Sequence, residues 1–143
     1  MRSRYRKVGA RPQVQAQFSA NWVTHPEVQG SEQAVVLFRS TFTLTSLPDS
    51  FPVDISADAH FRLFVNGEWV AWGPQLGDIQ HWRYDHHDLK PYLRTGENVV
   101  AIEVINWGHY RYFGMESVHT ALLVQGYGPA EMLTTQRDRK NYQ

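Results

Sequence analysis

The feature that most constrains this chain is strict alternation of side-chain type. From Ala34 to Thr45 the residues read AVVLFRSTFTLT, with Val36, Phe38, Phe42 and Leu44 on one face and Arg39, Thr41, Thr43 and Thr45 on the other. A period of two sends successive side chains to opposite sides of a strand, and β-branched and aromatic residues suit that pleated, half-buried surface. The pattern recurs over 51–57, where Val53, Ile55 and Ala57 alternate with Asp54 and Ser56, and Asp58 follows on the polar side. Such alternation predicts a solvated face carrying the acids. Phe61, Leu63 and Val65 alternate next. Asn66-Gly67 then supplies a two-residue hairpin turn, because a type I′ turn needs positive φ at both central positions, and 68–72 returns.

The stretch ENVVAIEVINW, 97–107, is nearly all apolar and predicts a central strand buried on both faces. Residues 119–127 and 131–136 predict the last strands. One segment differs. Residues 85–94 (DHHDLKPYLR) begin with acids, space Leu89, Tyr92 and Leu93 as on a helix, and run into Thr95-Gly96. That predicts a short helical turn with Asp85 or Asp88 as its N-cap. Several short strands separated by turn signals predict an all-β sandwich.

Composition narrows the function classes. The 143 residues are 42% hydrophobic and 13% aromatic, enough for the core of one domain and against intrinsic disorder. Basic and acidic residues number 14 each, so the net charge is zero, which argues against a dedicated nucleic-acid binder. The charge is nevertheless uneven. Residues 1–12 hold five bases and no acid, whereas 13–130 hold 6 of the bases and 12 of the acids, a net of −6. The expected organisation is a flexible basic arm at 1–14, a β-sandwich domain at 15–136 and a flexible tail at 137–143. Without cysteine, disulfides, thiolate zinc sites and cysteine nucleophiles are excluded. No apolar run approaches the roughly 18 residues of a membrane span, and the basic N-terminus lacks the apolar core of a signal peptide. As it stands the chain reads as cytoplasmic, with an exported parent left open.

Catalytic motifs are not found: no Gly-x-Ser-x-Gly elbow, phosphate-binding loop, dinucleotide fingerprint, HExxH or EF-hand loop. His81, His86, His87 and Asp88 cluster in sequence, but adjacent His86 and His87 point to different sides of an extended chain, so no metal site is expected. No cofactor is expected either, and a structural calcium has no support in the sequence. A glycosidase needs two carboxylates facing each other across a sugar, and no such pair is legible.

Two segments, 73–84 (GPQLGDIQHWRY) and 108–118 (GHYRYFGMESV), are long loops for a sandwich and rich in Trp, Tyr, His and Arg. Loops with large aromatics on a rigid β scaffold are a usual place for a binding surface. Flat rings stack on the C–H faces of sugars, while a few placed polar groups bond hydroxyls. The candidate sugar-binding set is Trp72, Asp78, His81, Trp82, Asn106, Trp107, Tyr110 and Tyr112, located where 73–84 meets 106–118. Trp82 or Trp107 supplies the stacking face, and Asp78, His81 and Asn106 the polar contacts. The competing reading has these rings close the ends of the core or anchor a protein contact.

The order of the pieces resembles a known family. Ala20-Asn21-Trp22-Val23, Phe38-Arg39-Ser40-Thr41-Phe42, Ile55-Ser56-Ala57-Asp58 and Phe61-Arg62-Leu63-Phe64-Val65-Asn66-Gly67 are followed by Trp72-Gly73-Pro74 and His81-Trp82-Arg83-Tyr84-Asp85. Then come Asp88-Leu89-Lys90-Pro91-Tyr92-Leu93, Gly96-Glu97-Asn98-Val99-Val100-Ala101-Ile102 and Glu131-Met132-Leu133-Thr134-Thr135. Together they are similar to the N-terminal β-sandwich domain of bacterial α-L-rhamnosidases and related multidomain glycoside hydrolases. The resemblance implies a galactose-binding-like jelly roll that precedes a separate (α/α)₆ catalytic domain, which supplies the acid and base carboxylates. It therefore implies a non-catalytic accessory domain rather than a complete hydrolase. Its partner would be a carbohydrate, a rhamnose-containing glycan, or the catalytic domain itself, with no role for nucleic acid or membrane. The alternative is a purely structural domain that packs on a catalytic partner or self-associates without binding sugar. One departure from the family pattern is the absence of an arginine after Gly73-Pro74, where Gln75-Leu76-Gly77-Asp78 stands instead. The sequence carries no signal for oligomeric state.

Overall fold

Among the described residues the alternation is realised as seven strands in two antiparallel sheets. The computed structural model describes residues 18–78 and 80–136; the predicted arm 1–14 and tail 137–143 lie outside the described residues. The strands are β1 (Gln33–Leu44), β2 (Pro52–Asp58), β3 (His60–Val65), β4 (Glu68–Gly73), β5 (Asp85–Asp88), β6 (Gly96–Trp107) and β7 (Ala121–Gly126). One sheet has the order β1-β6-β3-β4 and the other β5-β2-β7. The all-β sandwich is the fold that the alternation requires, since each sheet has an apolar face to bury.

Val36 and Phe38 of β1, Leu63 and Val65 of β3, and Val100, Ile102 and Val104 of β6 meet Val53, Ile55 and Leu122 of the second sheet in one core. Phe42 and Phe51 stack in parallel between the sheets, with centroids 5.5 Å apart. Full burial of such a side chain stabilises by about 1.5–3 kcal/mol. The hairpin forms at Asn66-Gly67, with φ of 51° and 83° as the type I′ turn demands. The Asn66 side chain also fastens the turn to its surroundings: its amide donates to Tyr92 O and Asn98 Oδ1, and its Oδ1 accepts from Val99 N–H.

Four sequence expectations need correction. β6 is central, between β1 and β3, but only its even-numbered side chains are buried; Val99, Ala101, Glu103 and Ile105 are half-buried on the outer face. β2 has no solvated face, because Asp54, Ser56 and Asp58 are as buried as their apolar neighbours. Asp54 accepts from Tyr127 O–H at 2.6 Å and pairs with His86, and Ser56 donates to Arg83 O, so polar partners cover that side. Residues 85–88 form β5 rather than a helix start, and the helical part is a single 3-10 turn at Lys90–Tyr92. Asp88 still accepts from Lys90 N–H, as a cap would, and from Phe51 N–H. Finally, 131–136 is not a strand. Gly128–Leu133 is a 3-10 helix, after which the Thr134 and Thr135 hydroxyls accept from Gly126 N–H and Val124 N–H. These hydroxyls replace ladder bonds along the outer edge of β7.

Candidate functional site

Register fixes which residues share an end of the sandwich. His60 pairs with Ile105, Phe61 with Gly73, Gln33 with Trp107, and Asp58 with Ala121. The ends of β2, β4 and β6 and the beginnings of β1, β3 and β7 therefore lie together. Here the chain passes from β2 to β3, and so from one sheet to the other, through the single residue Ala59.

At the Asp58 end of this passage is a cleft of about 290 Å³, lined chiefly by Trp22, Val23, Asp58, Trp82, Val118 and His119. Trp22 and Trp82 meet edge to face, with centroids 5.9 Å apart and planes at 60°, so they form an angled wall rather than a flat floor. Backbone pairing holds Trp22 in place. Val23 and Leu122 exchange N–H···O bonds of 2.9 and 2.8 Å, and Asn21 N–H donates to Thr135 O at 2.8 Å. Thr24 Oγ1 donates to Thr120 O at 2.6 Å.

Asp58 is 3% exposed. Its Oδ2 accepts from Val118 N–H at 2.7 Å and His119 N–H at 2.8 Å, which pins the end of loop 108–118 to the cleft. Its Oδ1 is buried and has no hydrogen-bond partner. A carboxylate oxygen left in that condition is unfavourable until a donor reaches it.

The second assembly is a chain of rings built around His60, the residue that follows the passage. His60 lies 5.4 Å from both Trp72 and Trp107, Trp72 lies 6.1 Å from Trp107, and Trp107 lies 6.2 Å from Tyr112. His60 is 6% exposed, its Nδ1 has no partner, and burial lowers its pKa, so the ring is neutral at pH 7. Trp72 and Tyr112 remain 44% and 60% exposed.

Of the residues expected to bind sugar, Trp82 stands in the cleft and Trp72, Trp107 and Tyr112 in the ring chain. Tyr110 is exposed and packs on His109. Asp78 and His81 pair with each other at 2.8 Å on an exposed loop and do not line the cleft. That bond to His81, with another from Gln80 N–H, holds the Asp78 carboxyl below its usual range. Asn106 departs from the expectation. It is 1% exposed, its amide donates to Ser117 Oγ and Thr120 Oγ1, and its Oδ1 accepts from Gly108 N–H. Every polar atom of Asn106 is thus committed to shaping the loop, and none faces a ligand. The loops 73–84 and 108–118 do meet, through Trp82 and Val118 across the cleft.

Sequence reasoning missed Trp22 and Asp58 as site residues. Trp22 reaches the cleft through a bridge spanning about a hundred residues of chain, and only the Ala20–Val23 motif singled it out. Asp58 was indistinguishable from an acid on a solvated face. Among the described residues no group of three His, Asp or Glu side chains converges on a point.

Fold and cleft together define a small β-sandwich domain with an aromatic-walled recess at one end. The same architecture occurs in the GH78 family rhamnosidase of Bacillus sp. GL1, with a TM-score of 0.69 and 26% identity, covering 79% of this chain and 12% of that one. The α-L-rhamnosidase of Streptomyces avermitilis, solved in complex with L-rhamnose, matches at a TM-score of 0.53 and 18% identity over 85% of this chain and 13% of its own. That of Aspergillus terreus matches at 0.51 and 17%, over 73% of this chain and 14% of its own. These last two likenesses show the fold alone. No protein-family model and no curated protein matches the sequence. The chain shares the fold of one part of these rhamnosidases and spans only 12% to 14% of their length.

Proposed function

We propose that this domain is a non-catalytic carbohydrate-binding module of a GH78-like glycoside hydrolase, and that it holds one sugar ring in the Trp22–Trp82 cleft. The observation that carries this reading is Asp58, a buried carboxylate with one oxygen pinned by the backbone and the other without a donor, at a recess walled by two indoles. A sugar hydroxyl supplies the missing donor once the side chain turns this sealed oxygen toward the cleft, and the angled indoles take the apolar C–H face. Likeness to rhamnosidases nominates rhamnose-containing glycans as the first ligands to try. Affinity is expected between millimolar and tens of micromolar, about −4 to −7 kcal/mol, because a small open cleft buries little of a ligand. Titration calorimetry with L-rhamnose and rhamnose-containing oligosaccharides tests this, alongside Trp22→Ala and Trp82→Ala. Folded variants that bind like the unaltered chain would place the site elsewhere.

A second reading has a specific observation behind it. The outer face of the four-stranded sheet carries exposed Val35 and Leu37 on β1 beside half-buried Ile105, Ala101 and Phe64, interrupted by the Arg62–Glu103 ion pair and by Arg39 opposite Ala101. Such a face suits packing on a catalytic domain, so the module would be structural. Self-association of the isolated chain, relieved by Leu37→Glu without any effect on sugar titration, would support that reading.

A further inference from the structure

The geometry points to a second sugar-stacking station, the ring chain Trp72–His60–Trp107–Tyr112, so that the ligand class is an oligosaccharide running across both stations rather than a lone monosaccharide. This rests on the reading of the cleft as a sugar site.

The first ground is exposure. Rings that close a core are covered, yet Trp72 and Tyr112 keep about half of their surface in solvent, while His60 and Trp107 lie beneath and beside them. The result is a supported aromatic surface rather than a plug. The second ground is charge and hydrogen bonding. His60 is kept neutral by burial, and its Nδ1 lacks a partner within this surface. A neutral, hydroxyl-bearing ligand suits such a place better than an anion.

The third ground is position. Asp58 of the cleft and His60 of the ring chain are two residues apart in sequence, and two residues of extended chain span at most about 7 Å. Loop 108–118 borders both stations, with Tyr112 against Trp107 at one point and Val118 in the cleft at another. A ring seated in the cleft therefore has its neighbours in a glycan within reach of Trp72 and Tyr112. Stations this close act on one ligand, and the second raises affinity without needing to bind alone.

The test is a chain-length series by titration calorimetry on the full chain: L-rhamnose, then rhamnose-terminated di-, tri- and tetrasaccharides. Affinity is expected to rise about tenfold between the monosaccharide and the trisaccharide, the range of one favourable ring-stacking contact. Trp72→Ala, and independently Tyr112→Ala, should remove that rise while the monosaccharide still binds. Asp58→Asn should weaken every member of the series. If Trp72→Ala fails to fold, Tyr112→Ala on the exposed loop carries the test. A rise that survives both variants, or no rise at all beside measurable monosaccharide binding, overturns the second station and leaves the cleft reading standing. Failure of every sugar to bind the folded chain overturns both. Protein capture at Trp72 and Tyr112 with no chain-length effect makes the rings a protein contact and likewise overturns the proposal.

Discussion

Replacing Asp58 separates what this carboxylate does for the fold from what it does for a ligand. In Asp58→Ala two charge-assisted bonds, 2.7 and 2.8 Å long, are lost from Val118 N–H and His119 N–H. Each is worth about 1.5–3 kcal/mol when its donor stays buried. Val118 is exposed and His119 half-buried, so water partly replaces the lost acceptor, and the expected total is about 2–4 kcal/mol. For a domain of this size that lowers the melting temperature by about 6–15 °C. Asp58→Asn keeps an oxygen for the two N–H groups and gives up mainly the charge, at about 1 kcal/mol. It also puts an amide nitrogen where the unpartnered Oδ1 stands, and that nitrogen cannot accept from a sugar hydroxyl. The expected result is a folded variant whose affinity for rhamnose-containing glycans falls about 10- to 150-fold, the equivalent of one hydrogen bond to a charged group. Calorimetric melting and titration of both variants supply the two readouts. Undiminished binding by Asp58→Asn would refute the role of Oδ1, and an Asp58→Ala melting point within a degree of the parent would refute the pinning of the loop.

Two glycines should respond for different reasons. Gly67→Ala meets nothing within 4 Å and should lose only about 1 kcal/mol, from its φ of 83°; Gly126→Ala drives a Cβ to 1.8 Å from Ala130 O and should lose several-fold more in chemical denaturation. Acidification should destabilise the fold. Burial depresses the pKa of both His60 and His87 below 6.5, so the unfolded chain binds protons first, and stability is full above pH 6.5 and declines as the pH falls below it. Asp85, raised by burial, acts in the opposite sense, since its unfavourable ionisation is relieved as the pH falls; a His60→Asn, His87→Gln double variant melted at pH 7.5 and 5.5 should show a reduced loss. The isolated chain should not turn over an aryl α-L-rhamnoside between pH 4 and 8. Turnover abolished by a single carboxylate substitution, such as Asp78→Asn or Asp88→Asn, would make it a hydrolase.

What could be read in the sequence was whatever depends on near neighbours. Alternation at Val36, Phe38 and Leu44 decides which face of β1 is buried, and Asn66-Gly67 is sufficient for its turn. Residues 131–136 look equally β-forming. Gly128-Pro129 starts a 3-10 helix there instead, and the two threonines serve the sheet through their hydroxyls, with a single backbone bond from Thr135 N–H to Val124 O. The site was less legible because it is assembled across sheets. Trp82 belongs to a loop whose composition marks it. Trp22 joins it only through pairing of residue 23 with residue 122, and Asp58 is distinguished only by what covers β2. Asn106, polar and beside aromatics, has the composition of a ligand contact but is turned inward to hold the loop.

The bond from Asn21 N–H to Thr135 O has a mechanical consequence. It brings the first and last described segments of the sandwich side by side along β7, where Val23 and Thr135 also cover that edge. A longer polypeptide passing through this domain would arrive and depart at almost the same point. The module would then hang from it as a side branch, not as a link in series. Tension along such a polypeptide would load the few bonds joining 21–23 to 122 and 135, and unzip them one by one, before it reached the twelve-residue ladder between β1 and β6. Such unzipping would draw Trp22 away from Trp82 and dismantle the cleft while both sheets stayed intact.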